Sequence, residues 1–289
     1  MRTRKILLIL LLLLLNNFAL GNGDDKKGHL FIIGGGDWPE GMVLKYIELA
    51  GDTDSKITIF PMASSEPLET ALEEKEEFIK FGCKNVEVIN CSNNSADTDS
   101  NFAKLENTKA IFFSGGDQAR LTAALLGTKL FEKIKSIYFN GGVVGGTSAG
   151  AAVMSEIMIT GNEIINKDSV TIFKTIQKGN VETIEGFGFL KTVVIDQHFI
   201  LRKRSNRLIS VMLEHPEMIG IGIDESTAII VKPDSTFEVF GDRTVMVVDP
   251  TEAKSIKTND EGLFSVSGIK IDIMQSGETY DLKNKRVIE

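Results

Sequence analysis

The sequence predicts an α/β fold, in which a mostly parallel sheet carries helices on both faces and is followed by a C-terminal antiparallel β extension. Before Ile219, apolar runs typical of buried strands alternate with amphipathic helical stretches, a pattern typical of strand–helix–strand units. From Ile219 onward the chain changes to short β-rich segments separated by turn residues. That change predicts antiparallel strands that extend the same sheet.

The predicted elements follow from these two patterns. Before residue 219, the predicted strands are 30–33, 57–60, 86–89, 110–113, 143–144 and 193–196, and the predicted helices are 42–47, 66–81, 120–126 and 130–137. The later β segments are 221–223, 228–231, 236–240 and 245–248. Within the charged segment 66–81, an apolar side is expected from Ala71, Leu72, Phe78 and Ile79.

The first 21 residues have the features of a secretory signal peptide. Basic residues precede an unbroken apolar run from Ile6 to Leu15, and Ala19-Leu20-Gly21 supplies small residues where a signal peptidase cuts. The run is too short to span a bilayer comfortably, although an uncleaved signal anchor is the alternative. We therefore expect a signal peptide over 1–21, a flexible leader over 22–28, a single domain over 29–289, and a secreted or periplasmic protein.

Charge and cysteine usage restrict the partners of this chain. The formal net charge is -8 at pH 7 with no long basic run, so neither nucleic acid nor an anionic membrane surface is an expected partner. Cys83 and Cys91 flank the predicted strand 86–89. An extended segment of that length separates its ends by roughly 25 Å, whereas a disulfide tolerates only about 6 Å between Cα atoms, so no bridge is expected.

Residues 141–150 place one serine between an apolar strand and a helix-like segment, in Gly146-Thr147-Ser148-Ala149-Gly150. Glycines two positions before and two positions after a serine are what a sharp strand-to-helix turn requires, because side chains there would collide. Such a turn exposes the serine hydroxyl above a helix N-terminus, which predicts a nucleophile at Ser148. The alternative is a glycine-rich turn with an incidental serine.

A nucleophilic serine needs a general base, and the chain contains 3 histidines. His198 lies just past the predicted strand 193–196, at the strand edge where sites in open α/β sheets collect. His29 lies beside the predicted leader, and His215 precedes a proline in a helix-ending turn. Placement therefore favours His198 as the base, against the alternative of a structural histidine.

Two glycine runs follow predicted strands. Gly115 and Gly116 come after strand 110–113, where paired glycines leave a backbone N–H free to stabilise an oxyanion. A tight strand-to-helix turn is the alternative there. Gly34-Gly35-Gly36-Asp37 follows the first strand, but it lacks the glycine spacing of a dinucleotide site and the lysine of a phosphate loop, so dinucleotide binding is not expected.

A basic cluster of Arg202, Arg204 and Arg207 follows the candidate base. If a helix begins near Arg204, then Arg204 and Arg207 share one face while Leu208 and Met212 pack inward. In an acidic chain, arginines beside a candidate base indicate a substrate that carries carboxylates. The alternative is a solvated basic face.

Three segments carry a resemblance to a known family. They are Gly-Gly-Thr-Ser148-Ala-Gly-Ala, Ser-Gly115-Gly116-Asp117-Gln118, and Asp196-Gln197-His198-Phe199 with the three arginines that follow. Together they strongly resemble the cyanophycinases, which belong with the peptidase E-like serine peptidases. The resemblance covers nearly the whole chain after the signal peptide, and it implies a fold similar to that of class I glutamine amidotransferases.

The resemblance implies a serine exopeptidase that cuts cyanophycin, a poly-aspartate with arginine on each β-carboxylate, and releases β-Asp-Arg dipeptides. It implies Ser148 as nucleophile, His198 as general base, and backbone N–H groups at Gly116, Asp117 and Ala149 as oxyanion donors. The expected substrate contacts are Gln118, Asp196, Gln197, Arg202, Arg204, Arg207 and Glu225. Neither a metal nor a cofactor is expected, the expected partner is cyanophycin or another acidic Asp-containing peptide without stable membrane association, and a homodimer is left open.

The third member of the catalytic triad has two candidate positions. By the resemblance, an acid follows the serine by about fifteen residues, and Glu163 fits that spacing. Asp224-Glu225, after another predicted strand, is the rival, and we favour Glu163. The polar stretch 164–185 departs from the resemblance and could reshape the cleft.

Three other functions compete at the level of the sequence. A secreted aspartyl dipeptidase would keep the serine, the histidine and the oxyanion loop, but it has less use for three clustered arginines. A non-catalytic binding protein for acidic peptides would not need both Ser148 and His198. A lipase-like esterase shares the serine turn, yet nothing near it supplies a long apolar channel.

Overall fold

A computed structural model describes residues 27–165 and 173–288 of the chain. The predicted signal peptide over 1–21 and residues 22–26 of the predicted leader lie outside the described residues, as do residues 166–172 of the polar stretch. The described end of the leader is attached to the fold, because the Gly28 N–H donates to the Tyr138 carbonyl at 2.8 Å. No helix within the described ranges is long and apolar enough to cross a membrane.

The described residues form 8 helices and 17 strands. The helices are α1 (Glu40–Ala50), α2 (Pro67–Lys80), α3 (Asn93–Ala96), α4 (Asp99–Leu105), α5 (Gln118–Leu125), α6 (Lys129–Phe139), α7 (Ala149–Ala152) and α8 (Ser205–Glu214). The first strands are β1 (Leu30–Ile33), β2 (Lys56–Phe60), β3 (Val86–Val88), β4 (Thr108–Phe113), β5 (Val143–Thr147), β6 (Ile157–Glu163), β7 (Val181–Glu185) and β8 (Val193–Gln197). The later strands are β9 (Ile219–Ile223), β10 (Thr227–Val231), β11 (Thr236–Gly241), β12 (Val245–Asp249), β13 (Lys254–Thr258), β14 (Phe264–Ser267), β15 (Lys270–Met274), β16 (Thr279–Asp281) and β17 (Arg286–Ile288).

A nine-stranded sheet forms the centre of the fold, in the order β17-β16-β11-β10-β1-β5-β4-β2-β3. The five strands from β1 to β3 in this order run parallel, and β10, β11, β16 and β17 add to them antiparallel. β1, with all four residues buried, is apolar throughout because both faces of a parallel sheet are covered. The predicted mostly parallel α/β fold with an antiparallel C-terminal extension is therefore confirmed.

A second sheet of four strands, in the order β15-β12-β9-β8, corrects one part of the prediction. Strand 193–196 was expected in the same sheet as the early strands, and the β segments near residues 221–223 and 245–248 were expected to extend that sheet. Instead β8 pairs parallel with β9, and β9 pairs antiparallel with β12. A local apolar pattern identifies a buried strand but carries no information about its partner.

Helices cover both faces of the nine-stranded sheet. Alternate residues of β1 point to opposite sides, so Leu30 and Ile32 pack in one core cluster while Phe31 and Ile33 pack in another. Side chains of α5, α6 and α7 join the first cluster, and side chains of α1 and α2 join the second. The helices on both faces confirm the predicted layer arrangement.

Helix α2 buries less of its predicted apolar side than expected. Ala71 and Phe78 are buried, whereas Leu72 and Ile79 are exposed. The buried face instead includes Glu74, one turn before Phe78. The two cysteines, Cys83 and Cys91, are both free thiols.

The connections after β1, β4 and β5 meet at one edge of the central sheet, because the carboxyl ends of neighbouring parallel strands lie side by side. These connections contain the glycine run after Ile33, the glycine pair after Phe113 and the serine after Thr147. The edge where ligands bind in open α/β sheets is therefore the edge that carries the predicted motifs.

Candidate active site

Ser148 stands at a strained turn between β5 and α7. Its backbone has φ 52 and ψ -105, and residues other than glycine rarely adopt such a positive φ. A Cβ on Gly146 would lie 2.5 Å from the Gly150 carbonyl oxygen, and a Cβ on Gly150 would lie 2.1 Å from the Phe113 carbonyl oxygen. Both flanking glycines are thus required by close backbone approach, and the partly exposed Ser148 has the geometry expected of a nucleophile turn.

His198 meets the serine from the second sheet. It follows β8 directly, and its Nε2 lies 2.8 Å from Ser148 Oγ. Its backbone also has a left-handed φ of 47, and its N–H donates to the Gly34 carbonyl at 2.7 Å. The structure therefore brings Ser148 and His198 together in the arrangement that a serine and its general base require.

Glu225, and not Glu163, carries the carboxylate against the histidine. His198 Nδ1 lies 2.6 Å from Glu225 Oε1, whereas Glu163 at the end of β6 accepts a hydrogen bond from Asn180 Nδ2 at 2.7 Å. The other rival, Asp224, accepts from the backbone N–H of Leu201 at 3.1 Å. The preference for Glu163 is corrected, because spacing along the chain does not determine which carboxylate faces the imidazole.

The surroundings of His198 keep its imidazole neutral. Burial lowers the pKa of His198 below its ordinary value, and the positive charges of Arg202 and Arg204 lower it further, while the hydrogen bond and charge of Glu225 raise it. A neutral imidazole at neutral pH can accept the proton of Ser148. The net shift of the pKa therefore suits a general base.

Only two of the three predicted oxyanion donors have a backbone N–H that is available within the described part of the chain. The Asp117 N–H donates to the Ala63 carbonyl at 2.9 Å, so its expected role as a donor is wrong. Among residues 27–165 and 173–288, none accepts a hydrogen bond from the backbone N–H of Gly116 or Ala149. A Cβ on Gly115 would lie 3.5 Å from Ser148 Cβ, so this glycine loop borders the serine. Gly116 and Ala149 remain the candidate donors.

Two arginines of the basic cluster, Arg202 and Arg204, lie next to catalytic-site residues. Arg202 is half-exposed, with its Nε 3.7 Å from Glu225 Oε1. Arg204 Nη1 donates to the backbone carbonyl of Gln197 at 2.7 Å and to its side-chain Oε1 at 2.6 Å. Burial lowers the pKa of Arg204 to about 10, with Arg207 adding to the effect. Arg202 is therefore the arginine best placed to meet an anion from solvent.

Arg207 and Asp196, both expected to contact the substrate, form a buried pair. Arg207 Nε donates to Asp196 Oδ2 at 2.8 Å, and Arg207 Nη2 donates to Asp196 Oδ1, in a bidentate arrangement. Their side chains are only 4% and 0% exposed. Each side chain therefore satisfies the charge of the other, and the expected substrate contact of both stays a prediction.

Gln118 and Gln197, also expected to contact substrate, are buried within the protein. Gln118 Nε2 donates to the carbonyls of Ile159 at 2.6 Å and Thr160 at 2.7 Å, which ties α5 to β6.

Within the described ranges, no group of three or more His, Cys, Asp or Glu side chains could hold a metal ion.

A serine on a strained turn, a hydrogen-bonded histidine, a carboxylate behind it and two backbone N–H groups are the parts of an enzyme that forms an acyl intermediate on serine. The fold and the site thus define a serine-type hydrolase. Residues 30–239 match the model of peptidase family S51. The chain belongs to this family and is a serine-type peptidase, as its sequence predicted.

Relatives agree with this family assignment, and one solved structure agrees with the fold. The chain is 34% identical over 263 residues to the cyanophycinase of Geminocystis herdmanii, covering 88% of this chain and 93% of that protein. It is 33% identical over 274 residues to the cyanophycinase of Synechococcus elongatus, covering 90% of this chain and 81% of that protein. The crystal structure of a peptidase from an acI-B1 Actinobacterium superposes with a TM-score of 0.64 at 21% identity over 88% of this chain and 97% of that one, which supports the fold.

Proposed function

We propose that this chain is a secreted serine exopeptidase that hydrolyses cyanophycin and releases β-Asp-Arg dipeptides. The proposal depends mainly on the hydrogen-bonded triad of Ser148, His198 and Glu225. Ser148 Oγ lies 2.8 Å from His198 Nε2, and His198 Nδ1 lies 2.6 Å from Glu225 Oε1. The triad occurs in a chain that is similar to cyanophycinases over most of its length. The complete triad also disfavours a non-catalytic binding protein, because such a protein would not need a serine activated by a histidine and an acid.

The proposed reaction starts at Ser148. Its Oγ attacks the carbonyl carbon of the scissile amide while its proton moves to His198 Nε2. Glu225 holds the imidazole by Nδ1 and stabilises the imidazolium, and the N–H groups of Gly116 and Ala149 receive the negative charge on the oxygen. His198 then gives its proton to the leaving nitrogen as the carbon–nitrogen bond breaks. Water hydrolyses the acyl-enzyme by the same steps and restores Ser148.

Charge at the site supports a substrate with free carboxylates. Arg202 is half-exposed beside Glu225, so its guanidinium can bind an aspartyl carboxylate without breaking a buried pair. Asp196 and Glu225, the two acidic residues among the expected substrate contacts, could receive the guanidinium of the substrate by charge, but they are engaged with Arg207 and His198. The guanidinium of the substrate is therefore expected to meet other groups or solvent.

Secretion is the part of the proposal that rests on the N-terminal sequence. Basic residues, an apolar run and Ala19-Leu20-Gly21 support a cleaved signal. Mass spectrometry of the mature protein from the producing cells should find an N-terminus after Gly21. An N-terminus at Met1 in a membrane fraction would instead support the signal anchor.

The function is tested by supplying cyanophycin and simple Asp-X dipeptides to the purified chain that begins at Asn22. We expect β-Asp-Arg from the polymer and slower turnover of the dipeptides. Ser148→Ala should abolish product, while Ser265→Ala, at an exposed serine on β14, should leave the rate unchanged. Faster turnover of Asp-X dipeptides would favour an aspartyl dipeptidase, and wild-type turnover by Ser148→Ala would remove the proposed nucleophile.

A further inference from the structure

The glycine run at the end of β1, Gly34-Gly35-Gly36, has no role in the chemistry described so far. Three consecutive carbonyls, those of residues 33–35, accept hydrogen bonds from the three segments of the site. The donors are the backbone N–H groups of Ser148 at 3.0 Å, His198 at 2.7 Å and Ser226 at 2.8 Å. Ser226 directly follows Glu225, so one short stretch of backbone contacts the segments of nucleophile, base and acid.

The same three donors have strained backbones. Ser148, His198 and Ser226 have φ values of 52, 47 and 51, in the left-handed region that favours glycine. Such conformations persist only where the surrounding structure determines them strongly. Each of these residues is held at its own N–H by the end of β1, which supplies that constraint at all three positions.

The glycines also leave space that the catalytic side chains occupy. A Cβ on Gly35 would lie 2.3 Å from His198 Cε1 and 2.5 Å from His198 Nε2. A Cβ on Gly36 would lie 2.8 Å from Glu225 Cβ, and a Cβ on Gly34 would lie 2.2 Å from the Asp224 carbonyl oxygen. The imidazole thus packs directly on the backbone of Gly35, in space that any other residue would fill.

We propose that the end of β1 and the glycine run after it form a positioning element. The carbonyls of Ile33, Gly34 and Gly35, together with the missing side chains of Gly34-Gly35-Gly36, set the relative placement of Ser148, His198 and Glu225. The inference rests on the proposed role of these three residues as the catalytic machinery. It also accounts for a glycine run that fits neither a dinucleotide site nor a phosphate loop. The run acts through the histidine and the acid, and it need not touch the substrate.

The test is Gly35→Ala, with Gly277→Ala as matched control. Gly35 has φ 104 and Gly277 has φ 90, so alanine introduces similar backbone strain at both positions, but nothing lies within 4 Å of a Cβ at Gly277. We expect kcat on cyanophycin to fall by about 100-fold in Gly35→Ala with KM nearly unchanged, because displacement of a catalytic group by about 1 Å costs that much. Gly277→Ala should keep the wild-type kcat.

A second measurement separates this inference from the choice of substrate. A fluorophosphonate reacts with an activated serine by forming an Oγ–P bond and releasing fluoride, while the serine proton passes to His198. Wild type and Gly277→Ala should be labelled at equal rates, and Gly35→Ala about 100-fold more slowly. Labelling of a wild type that does not cleave cyanophycin would refute the proposed substrate and leave the positioning role testable by the labelling rates.

Three outcomes would overturn the positioning role. They are equal labelling of Gly35→Ala and wild type, an equal loss in Gly277→Ala, and a wild type that is neither labelled nor active on cyanophycin. Thermal unfolding shows whether Gly35→Ala is folded. If it is not, the same comparison is made with Gly36→Ala, whose Cβ meets Glu225 instead of the imidazole, and the same three outcomes decide.

Discussion

The pKa of His198 is set by opposing effects of its surroundings. Burial and the two neighbouring arginines favour its neutral form, whereas Glu225 favours the charged form. The base must be neutral to take the serine proton, so a lowered pKa extends activity toward lower pH. Of the groups that affect this pKa, Arg202 is the most exposed, so replacing it removes a positive charge without leaving a cavity in the core.

Arg202→Gln should therefore raise the pKa of His198. We expect the acid limb of the kcat/KM profile to move to higher pH, with a displacement that shrinks as salt is added, because exposed charges are screened. The matched control is Arg286→Gln, at an exposed arginine on β17, which should leave the limb in place. A limb that moves to lower pH in Arg202→Gln would contradict the electrostatic account.

Glu225→Gln and Glu163→Gln distinguish the two candidate acids. Glutamine in place of Glu225 removes the charge that stabilises the imidazolium and can impose the wrong tautomer, so kcat should fall by about 10²- to 10⁴-fold. Glu163→Gln retains an oxygen that can accept from Asn180 and should stay within a few-fold of wild type. Turnover on cyanophycin measures both variants, and a larger loss in Glu163→Gln would restore the sequence-based preference.

Residue identities were predictable where a motif implies local geometry. The glycines around Ser148 and the position of His198 after a strand identify the two residues that the structure places 2.8 Å apart. Glu225 was named only as part of the rival pair Asp224-Glu225, because it comes from a turn distant in sequence and spacing favoured Glu163. The pairing of Asp196 with Arg207 was not predicted, because a charge pattern does not reveal that two charges bury each other.

At the scale of elements, local patterns predicted strands better than their partners. Each predicted strand is present, and α8 begins at Ser205 with Leu208 and Met212 buried as expected. The strands β6, β7 and β13 to β17 were not predicted, since they are exposed, short or weakly alternating. The second sheet was missed because pairing depends on contacts between segments distant in sequence.

Helix α2 contains a buried acid that links it to the edge of the active site. Ser114, which precedes the Gly115-Gly116 loop, donates from its Oγ to Glu74 Oε2 at 2.5 Å. Burial raises the pKa of Glu74 from 4.5 to about 8, so this carboxyl is mostly neutral at neutral pH. The folded protein therefore binds a proton there that the unfolded chain releases.

This linkage predicts that stability falls as pH rises. A carboxyl whose folded pKa exceeds its unfolded pKa contributes stability that is fully present below about 4.5 and is lost as pH rises through about 8. Glu74→Gln should remove this dependence, so its free energy of unfolding should fall less than that of wild type between about pH 6 and about pH 9. Urea unfolding measures it, with exposed Glu76→Gln as control, and parallel slopes for all three proteins would refute the linkage.

On the scale of the whole molecule, the site stands where the two sheets meet. Ser148 follows a strand of the nine-stranded sheet, and His198 follows a strand of the four-stranded sheet. Glu225 lies in the turn between β9 of the smaller sheet and β10 of the larger one. The catalytic distances therefore depend on how the sheets pack, and the buried pair of Asp196 and Arg207 ties β8 to α8 beneath that junction.

Asp196→Ala should destabilise the molecule by about 3–5 kcal/mol, because it leaves the buried charge of Arg207 without its partner. Combining Asp196→Leu with Arg207→Met should recover much of that loss, since no unpaired charge remains in the core. Denaturant unfolding compares the variants. A loss below about 1 kcal/mol in Asp196→Ala would mean that solvent reaches the guanidinium after all.

The position of β10 beside β1 bears on when during synthesis the enzyme becomes active. β10 pairs antiparallel with β1 near the middle of the nine-stranded sheet, although about 200 residues separate them in the chain. A chain emerging from the ribosome holds Ser148 and His198 before residue 225 exists and before β10 can dock. We therefore expect the nascent polypeptide to be inactive until about four-fifths of it has been made, and a truncation before β10 should yield an inert product.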